Sequence, residues 1–224
     1  MLVASAFRNS ENYVERYFAQ INELRTHLPV QLRIAEGDST DDTYAAIESH
    51  LQDGDELYQI AHGGQPYGSV DTPARWGQIA YVWNTLFDKI VPAGPLVLVE
   101  ADLIWQPETL LRLVANLDVV DACAPMSMCG ARFYDTWGFR GLDGQMFYGG
   151  PPYHPSVAGL TEIGSAGSCI AMREAVYDVC RFGATDGIVG FGADIRKRGF
   201  HLYVDPSLSV EHPCWLLVTK KSPS

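Results

Sequence analysis

The chain has 224 residues, with 16 basic against 27 acidic side chains and a formal net charge of −11. Hydrophobic residues make up 47% and charged residues 19%, a composition that forms a core and excludes a disordered chain. The acidic balance argues against a broad, non-specific grip on nucleic acid or anionic membrane, although a local basic patch remains compatible with it. The length suits one compact domain, and no apolar run approaches the roughly 20 residues needed to cross a bilayer. Met1–Phe7 lacks the charged start and apolar stretch of a secretory signal. The five cysteines (Cys123, Cys129, Cys169, Cys180 and Cys214) are odd in number and show no CxxC spacing. They are expected to be reduced, buried thiols in a cytoplasmic protein, with neither a zinc cluster nor a disulfide framework.

Leu2–Phe7 has strand character. Ser10 is placed to cap a helix in which Val14, Tyr17, Phe18, Ile21, Leu24 and Leu28 recur at helical spacing. Pro29 ends it. Val30–Ala35 reads as a second strand, Glu36–Asp42 as a polar turn, Thr43–Leu51 as a second helix and Glu56–Ala61 as a short strand. A loop rich in Gly and Pro runs from His62 to Pro73, before an amphipathic helix over Arg75–Ile90. Leu96–Val99 is continuously apolar, as in a strand buried on both faces of a parallel sheet. Pro107–Leu117 is a further helix, and the pattern changes after Val119–Pro125. Ser127–Pro155, dense in Gly, Pro and aromatic residues without a period, reads as long functional loops. Cys169–Met172, a helix over Arg173–Cys180, a glycine-rich turn, a helix near Ala193–Arg198 and a strand at His201–Val204 complete the α/β pattern.

Strand–helix alternation predicts a single domain over 1–224, with a mainly parallel central sheet covered by helices on both faces. Ligands of such sheets bind beyond the carboxyl ends of the strands. Three of those ends carry acids: Glu36–Asp42, the Glu100-Ala101-Asp102 step, and the Glu211-His212 region. Glu100 and Asp102, two residues apart at a strand end, face the same way and suit a divalent cation, which removes the cost of crowding two carboxylates. The plain alternative makes Asp102 a cap and Glu100 a solvated end. Glu36 and Asp38 either hold a nucleoside or only fix a turn and cap the next helix. Arg75 on a first helical turn opposes the helix dipole, which favours a phosphate contact. His212 is either a ligand or a packed histidine. Tyr134, Trp137, Phe139, Phe147, Tyr148 and Tyr153, mixed with Asp135, Arg140 and Asp143, form either a sugar and acceptor platform or a small core beneath a loop. Gly164–Gly167 allows close backbone approach or a tight turn. Asp194 is either an acceptor-activating base or the partner of neighbouring arginines.

In order and spacing, these motifs resemble GT-A-fold glycosyltransferases, broadly of the family-2 type. Glu36-Gly37-Asp38-Ser39-Thr40-Asp41-Asp42-Thr43 resembles the acidic turn that holds base and ribose. Arg75 and Asn84 resemble the Arg-and-Asn helix before the metal strand, Glu100-Ala101-Asp102 stands for Asp-x-Asp, and His212 for the late metal-binding histidine. The Phe133–Arg140, Glu162–Ser168 and Gly190-Phe191 segments resemble mannan-polymerase-type mannosyltransferases. The chain departs from the pattern in having Glu100 for Asp and in lacking acids in Gly187–Phe191. The resemblance implies a metal-dependent enzyme moving a sugar from a UDP- or GDP-sugar to a hydroxyl acceptor, with Mn²⁺ or Mg²⁺. It divides the chain into a nucleotide-sugar-binding half (1–117), an acceptor half (118–215) and a tail (216–224). Implied nucleotide-sugar residues are Phe7, Arg8, Glu36, Asp38, Arg75, Glu100 and Ala101. Glu100, Asp102 and His212 would hold metal. Tyr134, Asp135, Trp137, Arg140, Glu162 and Gly167 would meet the acceptor, and Asp194 with Asp102 would be catalytic. A pyrophosphorylase is disfavoured because Ala4–Glu11 lacks a glycine-rich basic loop. A non-catalytic binding module would need no metal acids. A hydroxymethylated base in DNA is a second acceptor class, permitted by Arg196-Lys197-Arg198 and Lys220-Lys221 and disfavoured by the net charge.

Overall fold

A computed structural model describes residues 1–63, 71–146 and 158–213. Among these residues nine strands form one sheet: β1 (Leu2–Phe7), β2 (Gln31–Glu36), β3 (Glu56–Gln59), β4 (Leu96–Val99), β5 (Ala122–Cys129), β6 (Arg132–Phe133), β7 (Thr161–Ile163), β8 (Cys169–Met172) and β9 (Leu202–Glu211). Their order is β3-β2-β1-β4-β8-β5-β9-β7, with β6 paired to β5. β1 to β5 and β9 run in one direction, and β6, β7 and β8 run against them. The helices are α1 (Glu11–Arg25), α2 (Thr43–Glu48), α3 (Pro73–Phe87), α4 (Pro107–Asn116), α5 (Glu174–Val179) and α6 (Gly187–Lys197).

Alternation along the strands builds a core on each face. Leu2 and Ala4 of β1, with Leu96 and Leu98 of β4, pack with Trp83, Leu86 and Phe87 of α3 and Phe191 of α6. Val3 and Phe7, with Val97 and Val99, pack with Tyr17, Phe18 and Ile21 of α1 and Leu110 and Leu113 of α4. Both faces of β4 are therefore sealed, as its unbroken apolar run predicts.

Several elements differ from the sequence reading. Ser10 makes no side-chain cap bond; its hydroxyl turns back to the Arg8 carbonyl at 2.9 Å. The irregular stretch begins later than Ser127, because β5 continues to Cys129 and turns into β6. β9 likewise runs well past Val204. Prolines explain both errors. The β5–β9 register slips between Pro125 and Met126, so Pro125 and Pro206 sit around a bulge that interrupts pairing without ending it. The turn read before Ala193 is helical from Gly187, and β7 was not foreseen. A Cβ on Gly192 would meet the Gly164 carbonyl oxygen at 2.2 Å, so glycine lets α6 approach the strands closely. Cys123, Cys169 and Cys180 are buried free thiols as expected, but Cys129 is disulfide-bonded. Phe147, Tyr148, Tyr153, Cys214 and Lys220-Lys221 lie outside the described residues. No helix among the described residues is long and apolar enough to cross a membrane.

Candidate active site

A cleft of about 810 Å³ opens at the carboxyl ends of β1 and β4. The end of β1 contributes Phe7, Arg8 and Asn9, α1 contributes Tyr13, and α3 contributes Arg75, Gln78 and Ile79. Glu100, Ala101 and Asp102 form its floor after β4. Cys129, Arg132, Phe133 and Tyr134, from the β5–β6 hairpin, face His212 and Pro213 across the remaining wall.

Glu100, Asp102 and His212 each offer a ligand atom, and these atoms lie within 4.8 Å of one another. The chain holds them there from three directions. The Glu100 amide donates to the Ser168 carbonyl at 2.9 Å, tying the strand end to β8. Ile104 and Glu211 exchange two backbone hydrogen bonds, of 2.8 and 2.7 Å, which set His212 opposite Asp102. His212 Nε2 then stands 3.3 Å from Asp102 Oδ2, and its ring stacks on Tyr134 with centroids 3.8 Å apart.

Negative charge accumulates here. Burial, with Asp102 and Asp135 nearby, pushes the Glu100 carboxyl well above the usual range against a Ser168 hydrogen bond and Arg75. Burial also raises Asp135, opposed by the Gly138 amide, His212 and Arg140. The Tyr134 phenol is raised by burial and then by Asp102, Asp135 and Glu100. Carboxylates held together against this pressure fit a hard divalent cation with oxygen and imidazole ligands.

The other candidates divide clearly. Glu36 is fully buried, and its carboxylate accepts from the Ser39 amide at 2.7 Å and Gln59 Nε2 at 3.3 Å. Asp38, with φ 51°, accepts from the His62 amide at 2.8 Å. Neither carboxylate belongs to the cleft wall, whereas Gly37 and His62 do. Asn84 is turned away, bridging the Phe182 backbone through both ends of its amide. Arg75 reaches the cleft with its guanidinium 4.4 Å from the centroid of the Trp76 ring. Trp76 stacks on Trp137 at 4.1 Å, and both indole N–H groups donate to Asp71. Arg140 covers the outer side of Trp137. Sequence reading missed Trp76 and Asp71 as a pair for Trp137, because the three meet only through the fold.

Of the residues expected to meet the acceptor, Asp135 accepts from the Gly138 amide at 2.8 Å, and a Cβ on Gly167 would stand 1.7 Å from its Oδ2. Gly167 therefore makes room for Asp135. Glu162 pairs instead with His201 on the β7–β9 edge at 2.7 Å. Asp194 is not brought to the cleft. Its Oδ2 accepts from Arg198 Nε and the Arg181 amide, both at 2.9 Å, and these partners outweigh burial to lower its pKa. A carboxylate so held is a poor base. The basic cluster is also engaged, with Arg198 on Asp194 and Arg196 on the Leu142 carbonyl.

The sheet order, the cleft at its carboxyl edge and the acidic step after β4 define the GT-A fold of nucleotide-sugar glycosyltransferases. The solved structures with this architecture include the mannosyltransferase PcManGT from Pyrobaculum calidifontis, in complex with GDP-Man and Mn²⁺. It matches at TM-score 0.63 and 16% identity over 99% of this chain and 57% of that one. S. aureus TarS in complex with UDP matches at 0.62 and 14% identity, over 95% of this chain and 60% of that one. Glucosyl-3-phosphoglycerate synthase from Mycobacterium tuberculosis, in complex with Mg²⁺ and UDP, matches at 0.57 and 15%, over 94% and 69%. The chain thus spans 57% to 60% of the length of the first two. No family model and no curated protein sequence matches it.

Proposed function

We propose that the protein is a metal-dependent glycosyltransferase that moves a sugar from a nucleoside-diphosphate sugar to a hydroxyl acceptor. The observation that carries this reading is the convergence of Glu100, Asp102 and His212 within 4.8 Å in the GT-A cleft. A binding module would have no use for acids crowded at this energetic penalty. Two of the similar structures contain Mn²⁺ or Mg²⁺ with a nucleotide or nucleotide sugar.

On this reading Glu100, Asp102 and His212 hold Mn²⁺ or Mg²⁺, whose positive charge stabilises the departing diphosphate. Arg75 and Arg8, on the opposite wall, receive phosphate oxygens as charge-assisted donors. Phe7 and Ala101 supply the apolar floor, and the Glu36–Asp38 turn presents Gly37 and His62 to the nucleoside. Asp135, held beside Gly167 and next in sequence to the cleft residue Tyr134, is assigned to the acceptor on this reading.

The experiment is donor hydrolysis. Incubation with UDP- and GDP-sugars should release nucleoside diphosphate with Mn²⁺ and stop with EDTA. Adding glycans, small hydroxyl compounds, or duplexes with and without hydroxymethylated bases then identifies the acceptor. Protein that neither binds nor cleaves any donor with metal present overturns the reading.

A further inference from the structure

Among the apolar residues on the inner face of α1 stands one amide. Gln20, 8% exposed, lies on a face shared with Tyr17, Ile21 and Leu24, all fully buried. An amide in that position costs about 1–3 kcal/mol unless both of its ends are bonded. Both are. Nε2 donates to the Leu103 carbonyl at 3.2 Å, and Oε1 accepts from the Trp105 amide at 2.9 Å. One turn earlier on the helix, Arg16 donates to the Asp102 carbonyl at 2.6 Å. One face of α1 therefore grips the backbone of 102–105 at three points, residues 102, 103 and 105.

That segment leaves the sheet with Asp102 at its start, and it includes Ile104, whose pairing with Glu211 brings up His212. The paired residues of β4 end at Val99, so beyond the Ile104–Glu211 pair this segment leans on α1. The three bonds from α1 hold it on the side away from that pair's single contact point. We infer that Gln20, with Arg16, is a positioning residue for the metal site: it holds the 102–105 backbone so that Asp102 and His212 converge. This inference rests on the proposed metal-dependent function. It differs from simple packing, since leucine or methionine would fill the Gln20 site equally well and hold nothing.

The test measures Mn²⁺ affinity by electron paramagnetic resonance, alongside calorimetry of UDP and GDP without metal. Gln20→Leu keeps the volume and removes both bonds. Leu24→Ala, on the same buried face without bonds to 102–105, controls for general loosening. Gln20→Leu should weaken Mn²⁺ binding at least about tenfold, the usual scale for removing support behind a metal ligand. Metal-free nucleotide binding should stay within about twofold. Leu24→Ala should lower Tm and leave Mn²⁺ affinity unchanged. Should Gln20→Leu not fold, Gln20→Glu carries the test: it keeps the acceptor for Trp105, loses the donor to Leu103, and should give a smaller loss. If the Gln20 variants bind Mn²⁺ like wild type, or lose no more than Leu24→Ala, the positioning role is wrong while the proposed function stands. If wild type itself binds no Mn²⁺, both fall.

Discussion

The turns after β2 and β4 both end a buried strand on carboxylates, and they treat those carboxylates in opposite ways. After β2, Glu36 is bonded to Ser39 and Gln59, Asp38 to His62, and Asp41 to Thr43 and the Glu11 amide. Each of these acids is satisfied by its own chain. After β4, Glu100 and Asp102 are instead pressed towards each other and towards Asp135, with one imidazole alongside. The same residue types at equivalent places serve one turn as scaffold and leave the other short of positive charge. On the proposed function, an acid that shapes a loop differs from one that would hold a ligand in how fully its own chain bonds it.

The sharpest break of this comparison is Asp102→Ala. It should abolish Mn²⁺ binding and donor cleavage, with at least a 100-fold fall in rate, equivalent to about 2.7 kcal/mol in barrier. The fold should survive, since among the described residues the Asp102 side chain pairs with His212 at the cleft and not with the core. A variant that keeps more than about a tenth of the wild-type rate would remove the metal assignment. Glu36→Ala tests the other turn. It leaves the Ser39 amide and the Gln59 side chain without their acceptor, so stability should fall by about 1–3 kcal/mol with little change in metal affinity. Asp38→Ala should weaken nucleoside-diphosphate binding even without metal, by loosening the loop that carries Gly37 and His62. Calorimetry showing an unchanged affinity would make that turn scaffold alone.

Much of this comparison could be read from the chain. Leu2–Phe7 and Leu96–Val99 were bounded correctly because their apolar runs stop abruptly at polar residues. Glu100, Asp102 and His212 were legible because two follow a buried strand directly and the third ends another. The acids bonded within the turn after β2 were indistinguishable from them in sequence, since partners such as Gln59 and His62 lie more than twenty positions away. Asp194 stayed open between base and arginine partner for the same reason: Arg198 could be seen, but not the Arg181 amide that also bonds its carboxylate. The second half was harder throughout. Glycines there serve close approach, as at Gly167 and Gly192, and a residue chosen for what it lacks carries no periodicity.

Smaller effects sharpen the contrast. Glu100→Gln removes one of the crowded charges, so the metal-free protein should gain about 1 kcal/mol, or roughly 2–4 °C in Tm for this length. The same variant should lose the stabilisation that Mn²⁺ gives wild type, so the order of the two melting curves reverses on adding metal. Curves that keep their order would mean that the acids are not in conflict. Trp137→Ala removes the stack on Trp76 and one bond to Asp71, and the stack is worth about 0.5–1.5 kcal/mol. Because Trp76 in turn backs Arg75, the variant should lower transfer more than donor binding and raise the ratio of hydrolysis to transfer a few-fold. A large drop in Tm with normal kinetics per molecule would reduce the pair to a brace.

The smallest effect lies in the turn after β2 and appears only in acid. Burial alone would raise the Asp41 pKa, but bonds from Thr43 and the Glu11 amide overcome it and hold the carboxyl below its usual 3.8. A group depressed in the folded state adds stability above its unfolded pKa and loses it as pH falls through the folded one. Asp41 should therefore stabilise the turn at neutral pH and lose that contribution progressively as pH falls below 3.8. Asp41→Asn, which keeps the shape without the charge, should melt slightly below wild type at pH 7. The two curves should converge as pH falls from 3.8 through the lower pKa of the folded state. Because Asp41 is largely exposed, the gap at neutral pH should be small and should shrink further in high salt. A gap that stays constant down to pH 3 would show that the turn is held by the shape of the side chain and not by its charge, and the hydrogen-bonded acids after β2 would then be no more than well-fitted polar residues.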